Sequence, residues 1–144
     1  MEGNEESFTN KIEHLSLIQG NIGRMSTSSA LFKGFAATIL AGVVTIAFRD
    51  IHTMVLLLMA LPLLAFLMLD VYYLRLERRY RYLYELVRKG VRVADFSMDV
   101  RSIDQAKARA SICECLSSPS IVLFYIPVFL AFGIMVGMKV CGVQ

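Results

Sequence analysis

Arginine and tyrosine interleave in one short stretch of the chain, RLERRYRYLYELVRK, at residues 75–89. At about 100° per residue in a helix, one basic face forms there. Its members are Arg75, Arg78, Arg79, Tyr82 and Lys89. Guanidinium groups bind phosphate through paired hydrogen bonds, and tyrosine rings stack on bases. The same residues suit anionic lipid or a solvated face that fixes membrane orientation, so three interpretations stay open: an anionic ligand or strand, lipid, or topology.

Few other residues of the chain could take part in catalysis or bind a metal. The chain has three cysteines and two histidines. Cys113 and Cys115 form a C-x-C pair without further ligands, and neither His14 nor His52 stands in a recognised spacing with a cysteine or carboxylate cluster. No glycine loop of the phosphate-cradling type is present. We therefore expect no enzyme activity, no catalytic residues, no metal and no cofactor.

The elements that position the basic face follow from composition. Of 144 residues, 56% are hydrophobic, and apolar runs occupy residues 30–48, 51–69 and 121–138. Each run is near the ~20 residues that cross ~30 Å of hydrocarbon as a helix. The sequence predicts an all-α integral membrane protein. We place its transmembrane helices at residues 30–48, 51–73 and 119–140, with an amphipathic arm at 1–29 and a cytoplasmic helical region at 74–118.

Basic residues are distributed unevenly between these segments. Ten of the fifteen Lys and Arg residues lie within residues 75–119, and residues 1–33 hold three more. The positive-inside rule places these two segments in the cytoplasm and the C-terminus outside. The first ten residues contain three glutamates and no basic residue, so we expect no cleaved signal peptide.

The second apolar run leads into the basic face without a helix-breaking residue after Pro62. A continuous helix from Ile51 to Lys89 would be ~58 Å long at 1.5 Å per residue. We expect a kink at Pro62, a stop at Gly90, and two stabilising i,i+4 ion pairs. These pairs join Glu77 to Arg81 and Glu85 to Lys89.

Apolar residues of the N-terminal arm repeat at heptad spacing. Phe8, Leu15 and Ile22 are seven residues apart, with Ile18 and Met25 at the alternate position. This seam could pack on the apolar side of residues 76–87, pair with other subunits, or lie on the membrane, and we favour packing in a cytoplasmic bundle. Leu15, Ile18 and Ile22 are also candidate contacts in an oligomer.

Two local patterns refine the connections. The segment MSTSS at residues 25–29 predicts a bend before the first span. Ser102 with Gln105 resembles a capping box and predicts a helix over about residues 103–117. Ser118 followed by Pro119 predicts the start of the third span.

Polar and small residues within the spans suggest contacts between helices. Asp70 lies at the inner end of the second span, near Lys33 and Arg75 in depth. It is either an interfacial ion pair or a carboxylate at a pore mouth, which would favour cations. Gly133 and Gly137 have the small-xxx-small spacing that lets helices approach closely. Three spans make a thin bundle, so we expect a homo-oligomer with Gly133 and Gly137 as candidate contacts.

Four stretches of the sequence carry a family resemblance. They are IQGNIGRMSTSSALFKGF (18–35), LDVYYLRLERRYRYLYELVR (69–88), DFSMDV (95–100) and SPSIVLFY (118–125). In this order they resemble a family of small three-span bacterial membrane proteins, similar to the ion-channel effectors of Hailong anti-phage systems.

The resemblance implies a function that residue patterns alone do not. A partner nucleotidyltransferase would make a single-stranded DNA oligomer, which would hold a tetrameric, ion-channel-like effector inactive in the bacterial inner membrane. Loss of the oligomer would open the channel and depolarise the cell. The main alternative is a non-conducting membrane scaffold, whose amphipathic arm recruits a partner protein and whose basic face binds anionic lipid.

Overall fold

The computed structural model describes residues 2–47 and 52–141. All regular elements in this part of the chain are helices. They are α1 (Glu2–Ala47), α2 (Thr53–Leu58), α3 (Ala60–Arg88), α4 (Ile112–Leu116) and α5 (Pro119–Val140). Three stretches are long and apolar enough to cross a membrane, namely Ser7–Thr45, Thr53–Arg88 and Pro119–Val140. The all-α class is confirmed, and the three helices support a membrane protein. The predicted span ends at Phe48 and Ile51 lie outside the described residues.

Helix α1 continues through the segment in which the sequence predicts a bend. Thr27 Oγ1 donates a hydrogen bond to the Gly23 carbonyl at 3.0 Å, and Ser28 Oγ donates to the Arg24 carbonyl at 3.0 Å. These hydroxyl groups bond to carbonyls one turn back and leave the backbone ladder in place. The predicted arm and first span therefore belong to one uninterrupted helix.

The second predicted span consists of two helices, because Met59 forms a turn between α2 and α3. Pro62 is the third residue of α3. A proline has no N–H, and its ring clashes with the carbonyl four residues earlier, here that of Leu58. The kink expected at Pro62 takes the form of an interruption three residues before it.

Helix α3 ends where the sequence predicts. Gly90 has a φ of 72°, a conformation that costs glycine nothing. The Val91 N–H donates to the Leu86 carbonyl at 3.0 Å, and the Gly90 N–H donates to the Val87 carbonyl at 3.1 Å. These two bonds form a Schellman motif that satisfies the last carbonyls of the helix.

The helix predicted over residues 103–117 is wrong except for its last turn. The Asp104 carboxylate accepts the Ala106 N–H at 2.9 Å, a local bond that competes with a helix. Arg109 adopts a left-handed conformation with a φ of 48°. Residues 91–111 are turns and irregular backbone, and only Ile112–Leu116 is helical.

The chain forms two compact units. Unit 1 comprises Met1–Ser28 and Tyr73–Cys115, and unit 2 comprises Ser29–Tyr72 and Leu116–Gln144. Helices α1 and α3 each contribute residues to both units.

The core of unit 1 joins α1 to α3 and to the segment after α3. Ile18 and Ile22 of α1 are buried with Leu83 and Val87 of α3. The following segment adds Val100, Ile103, Ala108 and Ala110. The arm thus packs against its own chain, one of the three partners that the sequence left open.

The buried stripe of α1 departs from the predicted heptad. His14, Ile18 and Ile22 are buried at four-residue intervals, whereas Phe8 is 65% exposed. Leu15 is partly buried against the core. Ile18 and Ile22 are therefore buried within their own chain, and their role as oligomer contacts, like that of Leu15, stays a prediction.

The core of unit 2 joins α1, α2, α3 and α5. Phe66 of α3 lies against Phe32 and Phe35 of α1, with ring centroids 6.3 and 6.0 Å apart. Helix α2 packs on α5. Leu63 and Tyr125 are among the buried residues of this unit.

Candidate anion-binding site

Arg75 is the first cation of α3 in unit 1. Its Nε donates to the Ala110 carbonyl at 3.0 Å, and its Nη2 donates to Gln105 Oε1 at 3.1 Å. The guanidinium thus reaches the segment that follows the core residues Val100 and Ile103. Both of its partners are neutral oxygen atoms.

Arg78, one turn further along α3, contacts the same segment. Its Nη1 donates to the Arg109 carbonyl at 2.7 Å and to the Glu114 carbonyl at 3.2 Å. The left-handed backbone at Arg109 accompanies this contact. Arg75 and Arg78 together line one side of residues 105–114, the docked segment.

Arg79 completes what we call the arginine cluster, Arg75, Arg78 and Arg79. All three side chains are half-buried. The Nε of Arg79 is buried without a hydrogen-bond partner among the described residues. A guanidinium stays charged at any physiological pH and offers five donors, so the cluster has donors to spare.

Other cations of α3 are matched by carboxylates. Arg81 lies 2.7 Å from Glu77, which confirms one expected i,i+4 pair. Glu85 accepts Arg88 at 2.8 Å and lies 3.6 Å from Lys89, which confirms the second. In the part of the chain that the structure describes, no ion pair involves the arginine cluster. Its three positive charges therefore have no paired carboxylate within residues 2–47 and 52–141, as in a site for an anion.

The remaining members of the predicted basic face have other contacts. Tyr82 packs partly buried against the core of unit 1, which limits its ring as a stacking platform. Lys89 is exposed and pairs with Glu85. Arg75 and Arg78 contact the docked segment, and Arg79 follows Arg78 on the same helix. Tyr82 instead packs on the apolar core, and Lys89 pairs with a carboxylate.

Asp70 forms a separate cluster in unit 2. Its carboxylate is fully buried, and Lys33 Nζ lies 2.7 Å from Oδ2. Ser29 Oγ donates to Asp70 Oδ1, and Lys33 Nζ donates to Ser29 Oγ at 2.8 Å. The buried hydroxyl of Tyr125 on α5 interacts with the Asp70 carboxylate.

This geometry favours the ion pair over a pore mouth as the role of Asp70. A carboxylate neutralised by Lys33 and enclosed by its own chain presents no free negative charge to passing cations. Arg75, which the sequence placed at a similar membrane depth to Asp70, bonds to Ala110 and Gln105 instead.

The two glycines of α5 have unfilled space around them. Added Cβ atoms at Gly133 and Gly137 would meet nothing within 4 Å. Gly133 also lines an apolar groove of about 730 Å³ with Leu67, Tyr125 and Phe129. Among the described residues, these glycines make no close helix contact that a Cβ would disturb, and their role as oligomer contacts stays a prediction.

Sequence reasoning missed two parts of the site region. The carbonyl acceptors of the docked segment carry no side-chain signature, so no pattern marks them. His14 is fully buried in unit 1, with Nε2 3.3 Å from the Ser97 carbonyl and its ring 5.7 Å from that of Phe96. Its spacing of four from Ile18 could have placed it on the buried stripe.

Metal and thiol chemistry find no support in the described residues. Among residues 2–47 and 52–141, no three His, Cys, Asp or Glu side chains converge on a metal position. Burial raises the pKa of the Cys115 thiol, which disfavours the reactive thiolate.

Comparisons with known proteins leave the site to be interpreted on its own chemistry. No protein-family model, curated protein or solved structure matches the chain. The arginine cluster is therefore the feature from which a function is proposed.

Proposed function

We propose that this protein is an oligomeric, ion-channel-like membrane effector of bacterial anti-phage defence. A single-stranded DNA oligomer bound at the arginine cluster holds it inactive, and loss of the oligomer opens it. The observation that carries the proposal is a set of three half-buried guanidinium groups without a carboxylate partner in the described chain. They occur in a protein with three helices of membrane length.

A phosphate backbone fits this site for two reasons. Guanidinium groups form short and often bidentate hydrogen bonds to phosphate, whose negative charge adds an attraction that a neutral carbonyl lacks. All three guanidinium side chains are also half-buried on helix α3, which restricts their conformations and pre-positions their donors. Pre-positioned donors favour a ligand of defined geometry over a fluid lipid headgroup.

Charge distribution supports a cytoplasmic location of the site. Residues 75–119 contain ten basic and six acidic residues, so in the inner membrane this segment faces the cytoplasm and the C-terminus faces outward. A strand supplied by a partner nucleotidyltransferase would reach it there.

Self-association strengthens the field at the site. In a homotetramer, with Gly133 and Gly137 as candidate contacts, four arginine clusters add their potentials. Such a field attracts a polyanion from solution and steers it to the site.

The test is ion flux through vesicles that contain the purified protein. We expect flux without DNA and suppression by a short single-stranded DNA oligomer. The variant Arg78→Ala/Arg79→Ala should conduct and escape suppression. The control Arg81→Ala/Arg88→Ala removes two carboxylate-paired cations and should remain suppressible. Absence of flux under all conditions would reject the channel.

A second function, the non-conducting scaffold, rests on a different observation. Phe8 and Ile12 of α1 are 65% and 51% exposed, and they could receive a partner protein. Induced expression of the chain alone separates the two functions. A channel without its DNA ligand collapses the membrane potential, whereas a scaffold that binds anionic lipid leaves the potential intact.

A further inference from the structure

The arginine cluster is occupied by the protein's own backbone. The carbonyl oxygens of Arg109, Ala110 and Glu114 accept donors from Arg78 and Arg75. Guanidinium groups offer the same donors to phosphate oxygens. The docked segment therefore stands where an anionic ligand would bind.

We propose that the docked segment, residues 105–114, is a displaceable internal occupant of the arginine cluster. Binding of a phosphate strand and docking of this segment exclude one another at these guanidinium groups. The inference rests on the proposed function, because it specifies how the same site is regulated.

The exchange is favourable because its two sides differ in charge. Docking satisfies cationic donors with neutral carbonyls, whereas a phosphate supplies both an acceptor and a counter-charge. The buried, unpartnered Nε of Arg79 shows that docking leaves at least one donor unused. A polyanion can satisfy it together with the donors that the segment releases.

Two features of the docked segment favour its release from the arginine cluster. The segment contributes Ala108 and Ala110 to the core of unit 1, and their small side chains lose less buried apolar area on release than larger ones would. Arg109 has a φ of 48°, a region that residues other than glycine rarely adopt. Release relieves this conformation.

Release of the docked segment affects the part of the same polypeptide that follows it. The segment ends within α4, and α5 begins five residues after it at Pro119. When it leaves the cluster, the free connection before the third span becomes longer. Binding of the ligand therefore changes the length of the unconstrained connection that precedes α5.

Affinity for DNA tests the exclusion. Gln105→Ala removes the one side-chain bond from the segment to Arg75 and leaves every arginine in place. A weaker internal competitor should make a short single-stranded DNA oligomer bind about threefold more tightly, because one modest hydrogen bond is lost from docking. Ser102→Ala, an exposed position outside the segment, is the matched control and should bind as the wild type does. Equal affinity of Gln105→Ala and wild type would overturn the exclusion.

Hydrogen exchange gives an independent readout. Amides of residues 105–115 should exchange faster when the DNA oligomer is added to the full-length protein. Slower or unchanged exchange would show that the ligand sits on top of a docked segment. If phosphatidylglycerol vesicles accelerate exchange and DNA does not, a lipid headgroup is the occupant and the strand is rejected.

The two proposals fail differently. If wild-type protein does not bind the oligomer, both the proposed function and the exclusion are wrong. If the oligomer binds and suppresses flux while Gln105→Ala and the segment's exchange rates show no change, only the exclusion is wrong.

Discussion

Helix α3 carries two sets of charges that the protein treats in opposite ways. In unit 2, Asp70 is fully buried and faces the Lys33 ammonium at 2.7 Å. In unit 1, Arg75 and Arg78 donate to neutral oxygen atoms and form no ion pair among the described residues. A charge with an internal counter-charge contributes to the structure of its unit. A charge without one keeps its attraction for an external anion.

Among the substitutions, Asp70→Asn is expected to have the largest effect, because it removes the internal counter-charge of Lys33. The change leaves the Lys33 ammonium, whose side chain is 17% exposed, without its counter-charge. Breaking one partner of a buried pair costs about 3–5 kcal/mol. Thermal unfolding in detergent should show a markedly lower midpoint for this variant.

The matched control removes both charges. Lys33→Met/Asp70→Asn leaves no unpaired ion and should recover most of the lost stability. An Asp70→Asn variant as stable as the wild type would show that the pair is not structural, and the contrast with the arginine cluster would disappear.

Packing in unit 1 provides the next largest effect. Leu83 is fully buried between α1 and the segment after α3, so Leu83→Ala should cost about 2–5 kcal/mol. Hydrogen exchange of residues 95–110 measures the loss. Ile12→Ala, at an exposed position of α1, should change stability by less than about 0.5 kcal/mol. Similar effects of the two changes would mean that the arm packs elsewhere.

A substitution that keeps the charge tests whether the shape of the guanidinium group matters at the arginine cluster. Arg78→Lys preserves the cation and loses the planar fork that binds two oxygen atoms at once. We expect DNA affinity to fall about tenfold, or ~1.4 kcal/mol. Arg81→Lys, at a carboxylate-paired position, should bind as the wild type does in the same titration. Equal loss in both variants would indicate a diffuse charge effect.

The smallest effect concerns the paired cations at the end of α3. The hydrogen bond from Arg88 lowers the pKa of Glu85 below its ordinary value of 4.5. The folded state therefore favours the carboxylate, and its stabilising effect is present above pH 4.5 and lost as the pH falls through the lowered pKa. Glu85→Gln should flatten this part of an acid titration of stability. A titration identical to that of the wild type would show that the pair contributes nothing.

Sequence reasoning anticipated elements whose ends have local chemical causes. Helix α5 begins at Pro119 and ends at Val140, as predicted, because a proline at the first helical position marks its start. Gly90 marked the end of α3 in the same way. The continuity of α1 was missed because Thr27 and Ser28 bond to their own helix.

The candidate site was anticipated in its donors and not in its acceptors. Helical spacing alone places Arg75, Arg78 and Arg79 on one face. Arg75 and Arg78 donate to backbone carbonyl oxygens 31 to 36 residues away in the chain, and every residue type has such a carbonyl. The Lys33–Asp70 pair was foreseeable because both charges stand out in apolar sequence near one depth.

The central claim is that the unpaired arginine charges bind a phosphate strand. It is tested most directly by the salt dependence of DNA affinity in Arg78→Ala/Arg79→Ala and in Arg81→Ala/Arg88→Ala, which lose the same net charge. If the account is right, only the first variant binds weakly, and its slope of log affinity against log salt is shallower by about 1.4, the value for two lost single-strand phosphate contacts. Parallel slopes for both variants and the wild type would contradict it.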